Sequence, residues 1–312
     1  MDSKELNSYI KAGEIAQAVK RYAREIIKPG VPLIEIARKV DDKIIELGGE
    51  LGFPVNLSID EVAAHFTPDS TSKEVATGLL KFDVGITVNG FFADTAISFD
   101  LTEDNRHKDL VEINKEMQEA VIRTVKPGIK VSNIGDAVMD VLDEANEKHD
   151  NKFALIDGLS GHMVGKDMIH AGLTIPNYRN DSENKLDEMA FAVEPFLTTG
   201  NGKIYSGEGG GIYSINSEAP ARDKEARKVV EYIKENFKTR PFCMRWLERE
   251  GFTKLKFIFA SLKKQGIFYE YPKLIEKTLL KAEAADVNSV EHILEIDNLA
   301  RLEANNILNK LF

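Results

Sequence analysis

A single cysteine, Cys243, among 312 residues leaves no partner for an internal disulfide, so a reducing cytoplasm is the expected compartment. No apolar run approaches the ~20 residues that a membrane-spanning helix needs. The opening Met1-Asp2-Ser3-Lys4-Glu5 also lacks the apolar stretch of a secretory signal. Positive charge is in deficit: 41 Lys and Arg stand against 51 Asp and Glu, and the formal charge of −10 argues against nucleic acid, DNA included, as the main ligand. What remains is a chain with 43% hydrophobic residues, enough to bury a substantial core as one large domain or two fused halves.

Within it, two aspartates flank a tight hairpin signal. The run Leu79-Leu80-Lys81-Phe82-Asp83-Val84-Gly85-Ile86-Thr87-Val88 is followed by Asn89-Gly90 and then by Phe91-Phe92-Ala93-Asp94-Thr95-Ala96-Ile97-Ser98. Asn-Gly between β-rich runs favours a type I′ turn, whose two central residues both need positive φ. A two-residue loop pairs Val88 with Phe91, which sets Gly85 opposite Asp94 and Ala96 opposite Asp83. Because side chains alternate with period two, Asp83 and Asp94 become diagonal neighbours, about 7–8 Å apart at Cα. Two acids so placed in a half-buried strand pair would repel unless something is bound between them, and the absent side chain at Gly85 leaves room for it. The same acids could also be solvated on an exposed hairpin face.

An internal repeat organises the first two-thirds. Ile27-Lys28-Pro29-Gly30-Val31-Pro32-Leu33-Ile34-Glu35-Ile36-Ala37 recurs 98 residues later as Val125-Lys126-Pro127-Gly128-Ile129-Lys130-Val131-Ser132-Asn133-Ile134-Gly135. Pro-Gly stops one helix, and Leu33, Ile36, Ala37 and Val40 give the next an apolar stripe at helical spacing. Each helix pair is followed by β-rich sequence with polar residues at corresponding places. This predicts a pseudo-twofold α+β architecture whose sheets meet around a shared cleft, with helices outside. Gly207-Glu208-Gly209-Gly210-Gly211 carries no dinucleotide fingerprint and reads as a loop.

Four of the six histidines lie in informative places: His65 after Ala63-Ala64, His162 after Gly161, His170 before Ala171-Gly172, and His292 after Glu291. A lone histidine beside apolar residues is more often a hydrogen-bonded core residue than a ligand. His107 and His149 sit in charged segments and need no role.

Gly52-Phe53-Pro54-Val55-Asn56-Leu57-Ser58, Ala63-Ala64-His65-Phe66-Thr67-Pro68, Asp83-Val84-Gly85 with Ala93-Asp94-Thr95-Ala96, Leu159-Ser160-Gly161-His162, His170-Ala171-Gly172 with Ile175-Pro176-Asn177-Tyr178, and Ala192-Val193-Glu194-Pro195-Phe196 follow one another along the chain. In these motifs and their order the chain resembles the type 2 methionine aminopeptidases, the archaeal and eukaryotic form. The resemblance implies a single pita-bread catalytic domain over residues 1–312. It also implies two divalent metal ions (Co, Mn, Fe or Zn) and removal of the N-terminal methionine of nascent peptides when the next residue is small. By the same resemblance Asp83 chelates one ion, Asp94 bridges both, His162 and Glu194 complete the other, and Glu194 accepts the proton of the attacking water. His65 and His170 would serve the tetrahedral oxyanion and the leaving nitrogen, in an order left open. Phe53, Asn56, Ile169 and Tyr271 would lie near the methionine side chain.

A fifth ligand is implied near the C-terminus, where relatives carry a Glu-His pair soon after a Tyr-Pro. Here Glu291-His292 fits best although it falls a few residues late after Tyr271-Pro272, with Glu283 as the rival, and the final residues have helical rather than strand periodicity. Residues 220–278 look like the inserted helical subdomain of type 2. From Asp223 to Lys277, 14 Lys and Arg stand against eight Asp and Glu. Such a stretch in an acidic chain is either a solvated helical face or a contact for ribosomal RNA. A proline-specific peptidase of the same fold and a non-catalytic binding protein are the competing readings.

Overall fold

The structure is a computed structural model and describes residues 1–276. It begins with α1 (Ser3–Ile26), whose N-terminus is closed by a capping box: the Asp2 carboxylate accepts from the backbone of Lys4 and Glu5, while the Glu5 side chain accepts from the Asp2 backbone. Pro29-Gly30 ends the helix region with Gly30 at φ +82°, and α2 (Leu33–Glu46) follows. Its stripe of Leu33, Ile36, Ala37 and Val40 is wholly buried against β1 (Glu50–Ile59), β3 (Leu79–Val88) and β4 (Phe91–Asp100), with the short β2 (Val62–Ala64) lying between β1 and β3 in the chain.

The order of this sheet is β1-β3-β4. Val88 pairs with Phe91, Gly85 with Asp94 and Asp83 with Ala96, and Asn89 and Gly90 take φ +54° and +84°, as a type I′ turn requires. The space at Gly85 is not left for a bound group. Phe53 pairs with Gly85 across β1 and β3, and a Cβ at Gly85 would stand 2.1 Å from the Phe53 ring. An aromatic ring lying over the strand explains why no side chain is tolerated there.

The second half repeats the plan. Helix α3 (Lys108–Thr124), β5 (Ile129–Lys130) and α4 (Val131–Lys148) enclose Gly128 at φ +76° and pack a core of Met117, Ile134, Val138 and Ile175. Short strands follow: β6 (Ala154–Leu155), β7 (Gly161–Val164), β8 (Thr174–Ile175), β9 (Lys185–Leu186), β10 (Ala190–Ala192) and β11 (Leu197–Thr198). The central sheet of this half runs β10-β7-β8.

The long β12 (Ile204–Ile215) contains the glycine run that the sequence reading assigns to a loop. It is a strand because glycine permits backbone contact: a Cβ at Gly210 would lie 1.6 Å from the His65 carbonyl oxygen, and Thr67 N donates to Gly210 O at 2.9 Å. After β12 come α5 (Lys224–Asn236), β13 (Phe242–Cys243), α6 (Met244–Arg249) and α7 (Leu255–Lys264), which share their own apolar core of Val229, Ile233, Phe242, Trp246 and Phe259. Cys243 is buried there, and burial pushes its thiol up to about 12, far from reactive. The chain then re-enters the main sheet as β14 (Phe268–Glu276), in the order β13-β12-β14-β2. No helix among the described residues is long and apolar enough to cross a membrane.

The packing of Phe53 on Gly85 is directly testable. Gly85→Ala must displace the ring and is expected to destabilise the protein by about 1–3 kcal/mol in urea titrations; an unchanged midpoint would refute the close approach.

Candidate metal centre

Four side chains from both halves converge on one point. Asp83 and Asp94 come from adjacent strands of the hairpin, His162 from β7, and Glu194 from the segment leaving β10, where Ala192 is paired with His162. His162 Nε2 lies 3.5 Å from Asp94 Oδ2 and 3.2 Å from Glu194 Oε1, and its Nδ1 lies 3.4 Å from the Met163 carbonyl oxygen, which fixes the ring. Asn177 is buried and donates from Nδ2 to the Glu194 carbonyl oxygen at 2.9 Å, holding the backbone of that acid.

The electrostatics of this cluster are strained. Burial raises Asp83 well above the usual carboxylate range, and the charges of Asp94 and Glu194 raise it further. Glu194 is raised by burial as well, partly relieved by its hydrogen bond to His162. Burial alone would lower the imidazole, yet its bonds to Asp94 and Glu194 prevail and push His162 up to about 10. The one positive charge among three acids is therefore that imidazolium.

Among the described residues no group of three or more His, Cys, Asp and Glu side chains stands ready as a coordination sphere. The acids instead close on the imidazole. The contacts of 3.2 and 3.5 Å are nevertheless close to the ~3.3–3.6 Å edges of a tetrahedron with bonds of about 2.0–2.2 Å. Carboxylates plus neutral imidazole also suit divalent first-row metals. The donor set fits such an ion, which would take over the charge that His162 now carries. The implied fifth ligand Glu291, its neighbour His292 and the rival Glu283 lie outside the described residues.

The other expected residues fall into two groups. Phe53 and Ile169 share an apolar cluster with Phe92 and Val164. His65 meets Tyr271 edge-on at 5.6 Å between centroids, and His170 meets His162 at 4.5 Å. Burial lowers both His65 and His170, the latter further because of His162, so both are neutral at neutral pH. Asn56, expected at the substrate, has its amide engaged with backbone: Nδ2 donates to Pro54 O at 3.0 Å and Oδ1 accepts from His65 N at 2.9 Å. It holds His65 in the left-handed conformation at φ +65°.

A cavity of about 550 Å³ borders Asp83, Asp94 and Glu194 but none of the three histidines. It also contains Lys81, which sequence reasoning passed over although it shares a strand face with Asp83. Burial lowers the Lys81 amine to about 8, against the pull of Asp60, Glu61 and Glu276, and the amine donates to Asp60 O at 2.5 Å.

The strain has a sign. A carboxylate whose folded pKa exceeds its unfolded 3.8 costs stability once ionised, and the cost grows as pH rises from the unfolded toward the folded value. In metal-free protein, Asp83→Asn is therefore expected to raise the melting temperature at pH 7, with the gain shrinking toward about pH 4. Divalent metal should reverse the order by stabilising wild type more than the variant. A metal-free variant melting below wild type at pH 7 would contradict the strain.

Comparison with known proteins agrees with this chemistry. Residues 7–229 match metallopeptidase family M24. The chain is 40% identical over 285 residues to a methionine aminopeptidase of Thermococcus kodakarensis, a match that covers 88% of this chain and 92% of that one. Among solved structures, a thermophilic Arx1 shares the fold at TM-score 0.71 and 16% identity, over 89% of this chain and 85% of that one. Methionine aminopeptidase from Rickettsia prowazekii superposes at TM-score 0.57 and 25% identity, over 66% of this chain and 84% of that one. With a pita-bread fold and half-buried acids drawn from both its halves, the chain belongs to metallopeptidase family M24 and, within it, to the methionine aminopeptidases.

Proposed function

We propose that this protein removes the N-terminal methionine of nascent proteins by hydrolysing the first peptide bond when the next residue is small, and that it does so as a type 2 enzyme. The observation that carries the reading is the meeting of Asp83, Asp94, His162 and Glu194 at one point. The helical segment between Glu194 and the C-terminus supports the second type. Residues 220–278 are read as a subdomain inserted in one catalytic domain spanning residues 1–312, and a reducing cytoplasm suits its single buried cysteine.

Two divalent ions are proposed, drawn from Co, Mn, Fe and Zn; Asp83, Asp94, His162 and Glu194 would hold them, with Glu291 proposed as the fifth ligand. Bound ions supply a water of lowered pKa and a Lewis acid for the scissile carbonyl. The chain supplies the rest. Glu194 takes the proton of the attacking water on a carboxylate oxygen. His65 and His170, both neutral, are suited to hydrogen-bond one to the oxyanion and the other to the departing nitrogen. Phe53, Ile169 and Tyr271 offer apolar and aromatic surface to an unbranched thioether, which gains about 0.3–1.5 kcal/mol on aromatic rings.

The basic segment is read as a contact for ribosomal RNA. All four of Lys254, Lys256, Lys263 and Lys264 are exposed, with Phe257 79% exposed among them, but Lys256 donates to Thr71 and Lys263 pairs with Glu270. Charge reversal at all four lysines is expected to abolish binding to ribosomes, with most of the loss from Lys254 and Lys264. Undiminished binding would remove that partner.

The activity itself is tested with metal-loaded protein on Met-Ala-Ser and Ala-Pro peptides. Release of methionine from the first alone is expected, with Glu194→Gln slower by about 10²–10⁴-fold. Cleavage of only the Ala-Pro peptide would make the protein a proline-specific peptidase, and cleavage of neither would leave a binding protein.

A further inference from the structure

We propose that the helical segment 224–264 is a brace that sets the two histidines outside the acid cluster, gripping the His170 loop through Asp167 and the His65 loop through Arg245. The kinetic consequence rests on the aminopeptidase reading above.

Asp167 lies three residues before His170, in the turn between β7 and β8. It is buried and left-handed at φ +54°, a conformation that persists in a residue other than glycine only where its surroundings hold it. They do so from two sides. Asp167 N donates to Gly90 O at 2.8 Å, stitching the turn to the tip of the acid-bearing hairpin. From the helical segment, Lys238 Nζ lies 2.7 Å from Asp167 Oδ2, the Thr239 hydroxyl donates to the Asp167 carbonyl oxygen, and Arg240 Nε lies 3.8 Å from Asp167 Oδ1. Arg240 is itself buried. Its guanidinium reaches Thr87 Oγ1 on β3 at 2.7 Å and Glu50 Oε2 on β1 at 3.0 Å. Three consecutive residues thus tie the segment to the strand that carries Asp83 and to the turn that carries His170.

The second grip is independent of the first. Arg245 on α6 donates from Nη1 to Thr67 Oγ1 at 3.1 Å and to Pro68 O at 2.7 Å, just beyond His65. Its Nε is anchored on Asp41 Oδ2 at 2.8 Å, an oxygen that also accepts from Trp246 Nε1 at 3.1 Å. Each histidine loop therefore contains a left-handed residue, Asp167 in one and His65 in the other, and is held from the same helical segment. Burying Arg240 and Arg245 carries a desolvation cost that a segment serving only as an outer surface need not bear. None of Lys238, Thr239 and Arg245 contacts the acid side chains, so loosening these three is expected to disturb the placement of His65 and His170 while Arg240 keeps its hold on β3.

The test uses the full, metal-loaded chain. Lys238→Ala with Thr239→Val removes two contacts to Asp167 without altering the turn, and Thr67→Val removes the one side-chain acceptor that the His65 loop offers Arg245. Each is expected to lower kcat on Met-Ala-Ser by about 10–100-fold, the cost of misplacing a reacting group by about an ångström, with metal stoichiometry unchanged and KM within about threefold. Asp167→Asn, which tolerates the left-handed conformation and keeps an acceptor, should recover most of the rate that Asp167→Ala loses. Lys228→Ala, on the exposed face of α5, should match wild type. In parallel, amide hydrogen exchange at residues 165–171 and 65–68 should accelerate in the corresponding variants, a readout that holds even if wild type binds metal but leaves Met-Ala-Ser intact, the outcome that would sink the aminopeptidase reading alone. Wild-type kcat in the Lys238/Thr239 and Thr67 variants, or unchanged exchange in both loops, would overturn the brace.

Discussion

Crowded, half-buried like charge is the constraint around which this molecule is organised. Asp83, Asp94 and Glu194 are brought within reach of one another in a partly water-excluded space, where burial and the neighbouring carboxylates hold Asp83 and Glu194 above the usual range, and a single imidazole stands between Asp94 and Glu194. Carboxylates rarely accept such proximity unless positive charge is supplied. His162 supplies one unit of it by holding a proton well above neutral pH. A divalent ion would supply more and release that proton, which would couple its binding to pH.

Everything else in the fold holds that arrangement in place. The Asn-Gly turn locks the β3–β4 register so that the two aspartates face the same way. The second half sends His162 and Glu194 to meet them from β7 and the end of β10, where Asn177 clamps the acid's backbone. Helices pack behind both halves and leave the cluster to the strands. The glycines of β12 let its backbone press against the loop of His65, and Arg245 grips the same loop through Thr67 and Pro68. The site is therefore assembled by contacts far apart in sequence, and its rigidity comes from buried arginines as well as from the apolar core.

How much of this was legible beforehand depended on whether the signal was local. The hairpin register was readable because a two-residue loop admits one pairing, and the helix pairs were readable because Pro-Gly and a helical apolar stripe recur 98 residues apart. His162 stood out by its place after Gly161, but only the resemblance to a known family joined it and Glu194 to the two aspartates, since spacing alone does not join residues 83 and 194. Tertiary contacts were not readable. The glycine run looks like a loop because the His65 backbone that demands it lies far away in sequence, and the gap at Gly85 looks like room for a ligand because the ring that fills it belongs to Phe53 on another strand. Arg240 and Arg245 fall in the basic stretch read as a solvated helical face or an RNA contact, Asp167 carries no motif at all, and only their burial gives them away.

The central claim is that acids from both halves, together with His162, jointly grip the ions that serve hydrolysis. Anomalous X-ray diffraction from crystals grown with Mn or Zn, collected on either side of the absorption edge, tests it most directly. The account predicts strong anomalous density among the side chains of Asp83, Asp94, His162 and Glu194, within about 2.0–2.3 Å of their donor atoms. Density confined to another part of the molecule, or none at saturating metal, would contradict it.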